Sequence, residues 1–194
     1  MSENDVKIYQ SKSELNKGGN DLSSAFDAVI VHRTNGNLDK ARALGEALAT
    51  ITPSGSGDGI IVDLKDHLAQ KYFAPDILYQ IKVLLVFACE TLLQIEIPVS
   101  VVSTTAITAM YDRIRVLSPG FYSNISNGAA FTFYYLAIQK GGDLSQNIGE
   151  AFAMLCSVKN KDGFINAGKT VWNIAVDLIE KEIDKAQFKV ITTE

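Results

Sequence analysis

The chain has 194 residues, 47% hydrophobic and 21% charged, which fits one globular domain and excludes a disordered chain. Its net charge is -4, and its 18 Lys and Arg form no basic stripe, which argues against nucleic acid as a ligand. Only two cysteines, Cys89 and Cys156, are present, so a disulfide framework is excluded and a reducing, cytoplasmic setting fits.

Residues 1–24 are rich in Ser, Asn, Lys, Glu and Gly and read as a flexible leader, with Val6 to Tyr9 as a short edge strand. A single α/β domain is expected over 25–194. Ala28 to Val31 is a short, continuously apolar run before the turn signal Thr34-Asn35-Gly36-Asn37, a pattern of a buried parallel strand. Leu38 to Ile51 carries Leu38, Ala41, Leu44 and Leu48 at helical spacing, with Asn37 as its cap. Pro53 to Gly57 breaks the chain.

Ile60 to Val62 reads as a second strand, Val83 to Ala88 as a third and Val99 to Ser103 as a fourth. From about Thr105 the pattern turns helical, with helices expected over 106–114, 128–139, 144–158 and 170–188. Short apolar strands separated by crossovers imply a mainly parallel sheet of four to six strands covered on both faces. The expected fold is therefore a three-layer α/β sandwich, caspase-like or flavodoxin-like, with a helical C-terminal part.

In such a fold, ligands bind beyond the carboxyl ends of the strands. The residues expected there are Arg33, Asn35 and Gly36, then Asp63 and His67, then Cys89, Glu90 and Thr91, then Ser103 and Thr104. A thiol closing a buried strand is a nucleophile if an imidazole or a positive dipole stabilises its thiolate, and otherwise a small hydrophobe. Arg33 with the turn amides would suit a phosphate or carboxylate, or the turn is simply a helix cap. Ser103 and Thr104 read either as ligand donors or as a helix cap.

The apolar run leading into Ala88-Cys89-Glu90-Thr91 resembles the nucleophile block of caspase-like cysteine peptidases of the CHAT, legumain and gingipain branches. Pro98 to Asp112 is similar to their specificity-pocket wall, Phe121 to Ile125 to a short aromatic helix, and Asp143 to Phe152 to a late helix. The resemblance spans roughly residues 26–158 and implies Cys89 as nucleophile with His67 as general base. The His-Gly pair of those families is absent; the strand before Cys89 reads Ile60 to Leu64, and His67 is the nearest imidazole in sequence. The resemblance thus implies a cysteine-peptidase-like protein or a degenerate relative of one. Two other readings stand beside it: a non-catalytic α/β module that binds a partner or itself, and an α/β domain that takes a small anionic or nucleotide-like ligand.

The aromatic group Phe121, Tyr122, Phe131, Phe133, Tyr134 and Tyr135 reads as core or as a subunit interface, so a peptide, a protein or a second copy is the expected partner. No apolar stretch reaches the length of a bilayer span, and no membrane partner is expected. His32 and His67 are too few for a multi-histidine metal site, and no cofactor is implied.

Overall fold

The computed structural model describes residues 18–51, 59–156 and 162–189. Its elements are helices: α1 (Gly18–Thr34), α2 (Asn37–Ile51), α3 (Gly59–His67), α4 (Pro75–Glu96), α5 (Ser100–Leu117), α6 (Pro119–Asn127), α7 (Ala130–Gln139), α8 (Leu144–Leu155) and α9 (Asp162–Ala186). A 3-10 turn, Gln70–Phe73, precedes α4. No strand occurs among the described residues. The α/β sandwich, its parallel sheet and the caspase-like or flavodoxin-like topology are therefore overturned; the fold is all-helical. The edge strand expected at Val6 to Tyr9 and the break at Pro53 to Gly57 lie outside the described residues.

The other four segments read as strands lie in helices or at their starts. Ala28 to Val31 is in α1, Ile60 to Val62 in α3, Val83 to Ala88 in α4, and Val99 caps α5. The reason is physical. A continuous apolar run suits a strand buried on both faces, and it suits equally a helix buried around its whole circumference.

α4 is such a helix. Ile81, Val83 to Cys89 and Thr91 to Leu93 are all buried. Pro75 occupies its first turn, where a missing N–H costs nothing, and Asp76 sits favourably against the positive helix end. At the other end Ile97 is extended (φ -109°, ψ 91°), as a residue before proline must be, and Pro98 closes the helix.

α5, α7, α8 and α9 pack on α4, and the remaining helices lie farther out. In α5 the buried positions Val102, Ala106, Met110 and Ile114 recur every four residues. They form one stripe, and α2 packs on it with Ala41, Leu44, Leu48 and Ala49. At the crossing stands Gly45, where a Cβ would come within 2.1 Å of the Ala106 carbonyl oxygen. The two backbones touch because position 45 has no side chain. A second close crossing joins α8 and α9: a Cβ on Gly149 would meet the Ile165 carbonyl at 2.5 Å, and one on Gly168 the Phe152 Cβ at 2.7 Å.

α9 lays Ala167, Val171, Ala175 and Ile179 along the core and runs beside α4, α8 and α2. α8 begins at Asp143, whose carboxylate accepts the Gln146 N–H at 3.0 Å, a standard N-cap. α7 supplies Tyr134, wholly buried, whose ring lies 5.0 Å from that of Phe87 of α4. Trp172 of α9 lies on the same Phe87 ring at 6.4 Å. The helices expected over 106–114, 128–139, 144–158 and 170–188 overlap α5, α7, α8 and α9, but α7 starts at Ala130, α8 ends at Leu155 with 157–158 outside the described residues, and α9 ends at Ala186; the helix expected over 38–51 is α2. Among the described residues no helix is long and apolar enough to cross a membrane.

Two glycine substitutions should move stability in opposite directions. Gly45→Ala forces a methyl into the Ala106 carbonyl and should cost roughly 1–3 kcal/mol, as overpacking does. Gly120→Ala, in α6 with nothing within 4 Å of the new Cβ, should gain about 0.4–1 kcal/mol by restricting the unfolded chain. Urea denaturation of both variants against the parent chain checks the pair.

Candidate functional site

Cys89 lies well inside α4 and is 2% exposed. Burial pushes its thiol up to about 12, only partly opposed by a backbone hydrogen bond. At neutral pH the thiol therefore keeps its proton, and it is closed off from solvent, neither of which suits a nucleophile. His67 sits exposed in the last turn of α3, on a different helix from the buried Cys89. Cys156, at the end of α8, is half-buried, and burial raises its thiol to about 12 as well.

The remaining candidates do not share one rim, because there are no strand ends among the described residues to gather them. Arg33 is exposed in the last turn of α1. Asn35 and Gly36 form the α1–α2 turn, where the Asn35 side-chain oxygen accepts the Asn37 N–H at 3.0 Å and Gly36 takes φ +83°. Asp63 is exposed on α3. Thr91 is buried in α4, and its hydroxyl has no hydrogen-bond partner among the described residues. Ser103 is buried, with its hydroxyl donating to the Ser100 carbonyl of its own helix at 3.1 Å. Thr104 lines an open groove of about 670 Å³ between α1, α2 and α5, with Val29, Arg42 and Val116 among its walls.

Of these candidates, Glu90 alone stands in a built polar site, and its company differs from what the sequence reading gave it. Cys89 and Thr91 on either side face the core, while the Glu90 carboxylate emerges between α5 and α7. Tyr111 of α5 donates its hydroxyl to one carboxylate oxygen at 2.5 Å, and Tyr135 of α7 donates to the other at 2.9 Å. No Lys, Arg or His pairs with this carboxylate among the described residues.

The two phenols respond as this geometry requires. Burial, then the Glu90 charge and its hydrogen bond, push the Tyr111 hydroxyl far above the usual tyrosine range. The same causes in the same order push Tyr135 up to about 12. A hydroxyl held by an anion keeps its proton.

Beside this knot opens a cavity of about 370 Å³ walled by Tyr111, Tyr122, Ile125, Ser126 and Phe131. The rings of Tyr111 and Tyr122 stand 6.4 Å apart at 72°, two nearly perpendicular walls. Phe131 is fixed from behind by Phe87, edge to face at 5.5 Å. In the sequence Tyr122, Phe131 and Tyr135 stand out only as part of an aromatic group, and Tyr111 does not stand out. The available signal was Glu90 itself, a carboxylate inside the most apolar stretch of the chain.

Among the described residues no group of three or more His, Cys, Asp or Glu stands together to hold a metal ion. Comparison with protein-family models, curated proteins and solved structures finds no match. With the helical fold, that result overturns the resemblance to caspase-like peptidases and the cysteine-peptidase reading, and it lends no support to the α/β module or the anion-binding α/β domain.

Two measurements check the site. Iodoacetamide at neutral pH should leave Cys89 unmodified in the native protein and label it only after denaturation, as read by mass spectrometry; native labelling of Cys89 would show that its sulfur reaches solvent. In an ultraviolet titration Tyr135 should ionise near 12 rather than at the ordinary value of about 10. Glu90→Gln removes the anion and should bring that midpoint down. The unfolded chain loses these protons first, so both phenols should make stability fall as pH rises above about 10.

Proposed function

We propose that this chain is a helical binding protein whose ligand is an organic cation, a quaternary or substituted ammonium group received between Tyr111, Tyr122 and Phe131. The observation that carries this reading is the Glu90 carboxylate. It is partly buried, both its oxygens are occupied by neutral donors, and no cation offsets its charge among the described residues. Such a group makes its surroundings attractive to positive charge and costs free energy to desolvate.

The neighbouring cavity supplies what an organic cation binds best. Aromatic faces attract ammonium groups through their quadrupole, by about 0.5–2 kcal/mol for each ring. By accepting the Tyr111 proton in a hydrogen bond, Glu90 feeds electron density into a ring that forms one wall of the cavity. The negative charge therefore acts on the ligand through the ring as well as through space. Perpendicular rings suit a roughly spherical head better than a flat one.

The two cysteines, free thiols that burial keeps protonated, support a reducing compartment such as the cytoplasm.

Titration with choline, followed by tyrosine fluorescence or NMR, tests the proposal. Saturable binding is expected, weakened at least about tenfold by Glu90→Gln, equivalent to about 1.4 kcal/mol. Tyr122→Ala should weaken it further. The uncharged isostere 3,3-dimethylbutan-1-ol fills the same space without the charge. If it binds as well as choline, or if choline does not bind, the reading fails.

A further inference from the structure

α1 buries almost none of its apolar surface. Of its side chains from 26 to 34 only His32 is buried. Phe26, 68% exposed, and Ile30 stand one turn apart in solvent, with the exposed Val29 between them in sequence. A helix in water draws most of its stability from packing one face. A single exposed apolar residue is ordinary, but three large ones within two turns form a patch that marks an interaction surface.

Beside this ridge runs the groove of about 670 Å³ between α1, α2 and α5. Its wall on α5 is a stripe at helical spacing, Val101, Thr104, Thr108 and Asp112, ending on Val116, itself 68% exposed. Short side chains leave a channel along a helix, and bulky apolar ones a turn apart on a second helix fill it. Phe26 and Ile30 are such a pair, and neither lines the groove of its own chain. The lengths agree as well: the stripe from Val101 to Val116 runs roughly 22 Å, and the 17 residues of α1 about 26 Å.

The charges on the groove choose the occupant. Its walls carry two guanidinium groups, Arg42 and Arg113, and two carboxylates, Glu46 and Asp112. Arg42 is held by Asp39 at 3.0 Å and Asp112 by Arg115 at 2.8 Å. Glu46 and Arg113 are exposed and make no ion pair among the described residues. A polyanion would meet the carboxylates and a polycation the guanidinium groups. A second copy related by a twofold axis can meet each charge with its opposite, because in such an interface every contact from i to j recurs as j to i. We propose that the α1–α2–α5 face is the interface of a symmetric homodimer: Phe26 and Ile30 of each copy seat in the groove of the other, and Glu46 of each copy pairs with Arg113 of the other. Burial of the ridge supplies the affinity, and the crossed ion pairs set the register and disfavour other partners. The proposal does not depend on the cation site at Glu90.

Sedimentation equilibrium of the full chain reads the association directly. A species of twice the 21.1 kDa chain mass is expected at micromolar concentration. Ile30→Glu changes a side chain that is 59% exposed in the single copy, so it should leave the circular dichroism spectrum unchanged and weaken the dimer at least about tenfold. Glu46→Arg and Arg113→Glu should each weaken their own homodimer at least about tenfold, because like charges then face one another twice. Mixed in equal amounts, these two variants should recover the parent's affinity as a heterodimer, since every guanidinium again meets a carboxylate. A chain that stays monomeric at micromolar concentration overturns the proposal, and that is the result expected if the chain's own residues cover the groove. A dimer that Ile30→Glu leaves intact overturns it too, by placing the contact on another face. So does a mixture that associates no more tightly than either charge variant alone. Should Ile30→Glu fail to fold, the mixing experiment decides the matter alone.

Discussion

A helix that is apolar around its whole circumference cannot end at the surface of a bundle; it has to be surrounded. α4 sets that condition for the molecule, because Val83 to Cys89 presents buried side chains in every direction. α5, α7, α8 and α9 each turn an apolar stripe toward it, and the 3-10 turn before it adds the buried Tyr72. Tyr72 is in turn fixed to the start of α9 by its hydroxyl on the Gly163 carbonyl at 3.0 Å and by Phe164, edge to face at 5.1 Å. The outer helix α2 reaches the interior without touching much of α4, by closing on α5 at Gly45. Glycine at that crossing, and the Gly149–Gly168 pair at the α8–α9 crossing, let helix axes approach more closely than any side chain allows. Dispersion attraction along the whole length of each helix pair then offsets the propensity cost of glycine in a helix.

The sequence makes helices legible where their faces differ and hides them where the faces match. α2 has a clear stripe with polar residues opposite, and its span is readable from spacing and from the turn before it. In α4 the buried set carries no 3.6-residue rhythm, because no face is left for solvent over two turns. Val, Leu and Phe in succession then look like a strand, and only length separates the two cases. The 22 residues from Pro75 to Glu96, a proline at the start and Pro98 just past the end describe one long helix. The run Ala28 to Val31 misleads for a different reason: its β-branched residues stand on α1 partly in solvent, Val29 37%, Ile30 59% and Val31 42% exposed, so an apolar run here does not mark a fully buried element.

The misplaced strands carried the candidate site with them. Strand ends would have collected Arg33, Asp63, Cys89 and Ser103 at one edge; helices disperse them to separate elements and point Cys89 inward. Glu90 survives as a site residue because its place in α4 matters more than the secondary structure assumed for it. Its partners, Tyr111 and Tyr135, lie 21 and 45 residues away, and only the packing of α5 and α7 against α4 brings them together. The hydrogen bonds between Asn37 and Lys189 span 152 residues and are equally invisible to local pattern, although Asn35, Gly36 and Asn37 mark the turn that positions Asn37.

A carboxylate at position 90 is not what stability alone would select. Taking a charge even partly out of water costs several kcal/mol, and a hydrogen bond to a charged group returns about 1.5–3 kcal/mol. Two tyrosine hydroxyls therefore compensate Glu90 roughly to balance, whereas a leucine or glutamine there would pack or bond without the risk. Both phenols also lose freedom to donate elsewhere, and Tyr111 does so while its ring still borders an open cavity. Residues that break the local rule of an apolar helix without a compensating gain in the folded chain are those most often kept for what they bind. The negative charge, the perpendicular rings and the open volume beside them are each features that a positive group would use, which is why the proposed cationic ligand rests on Glu90 and not on the cavity alone.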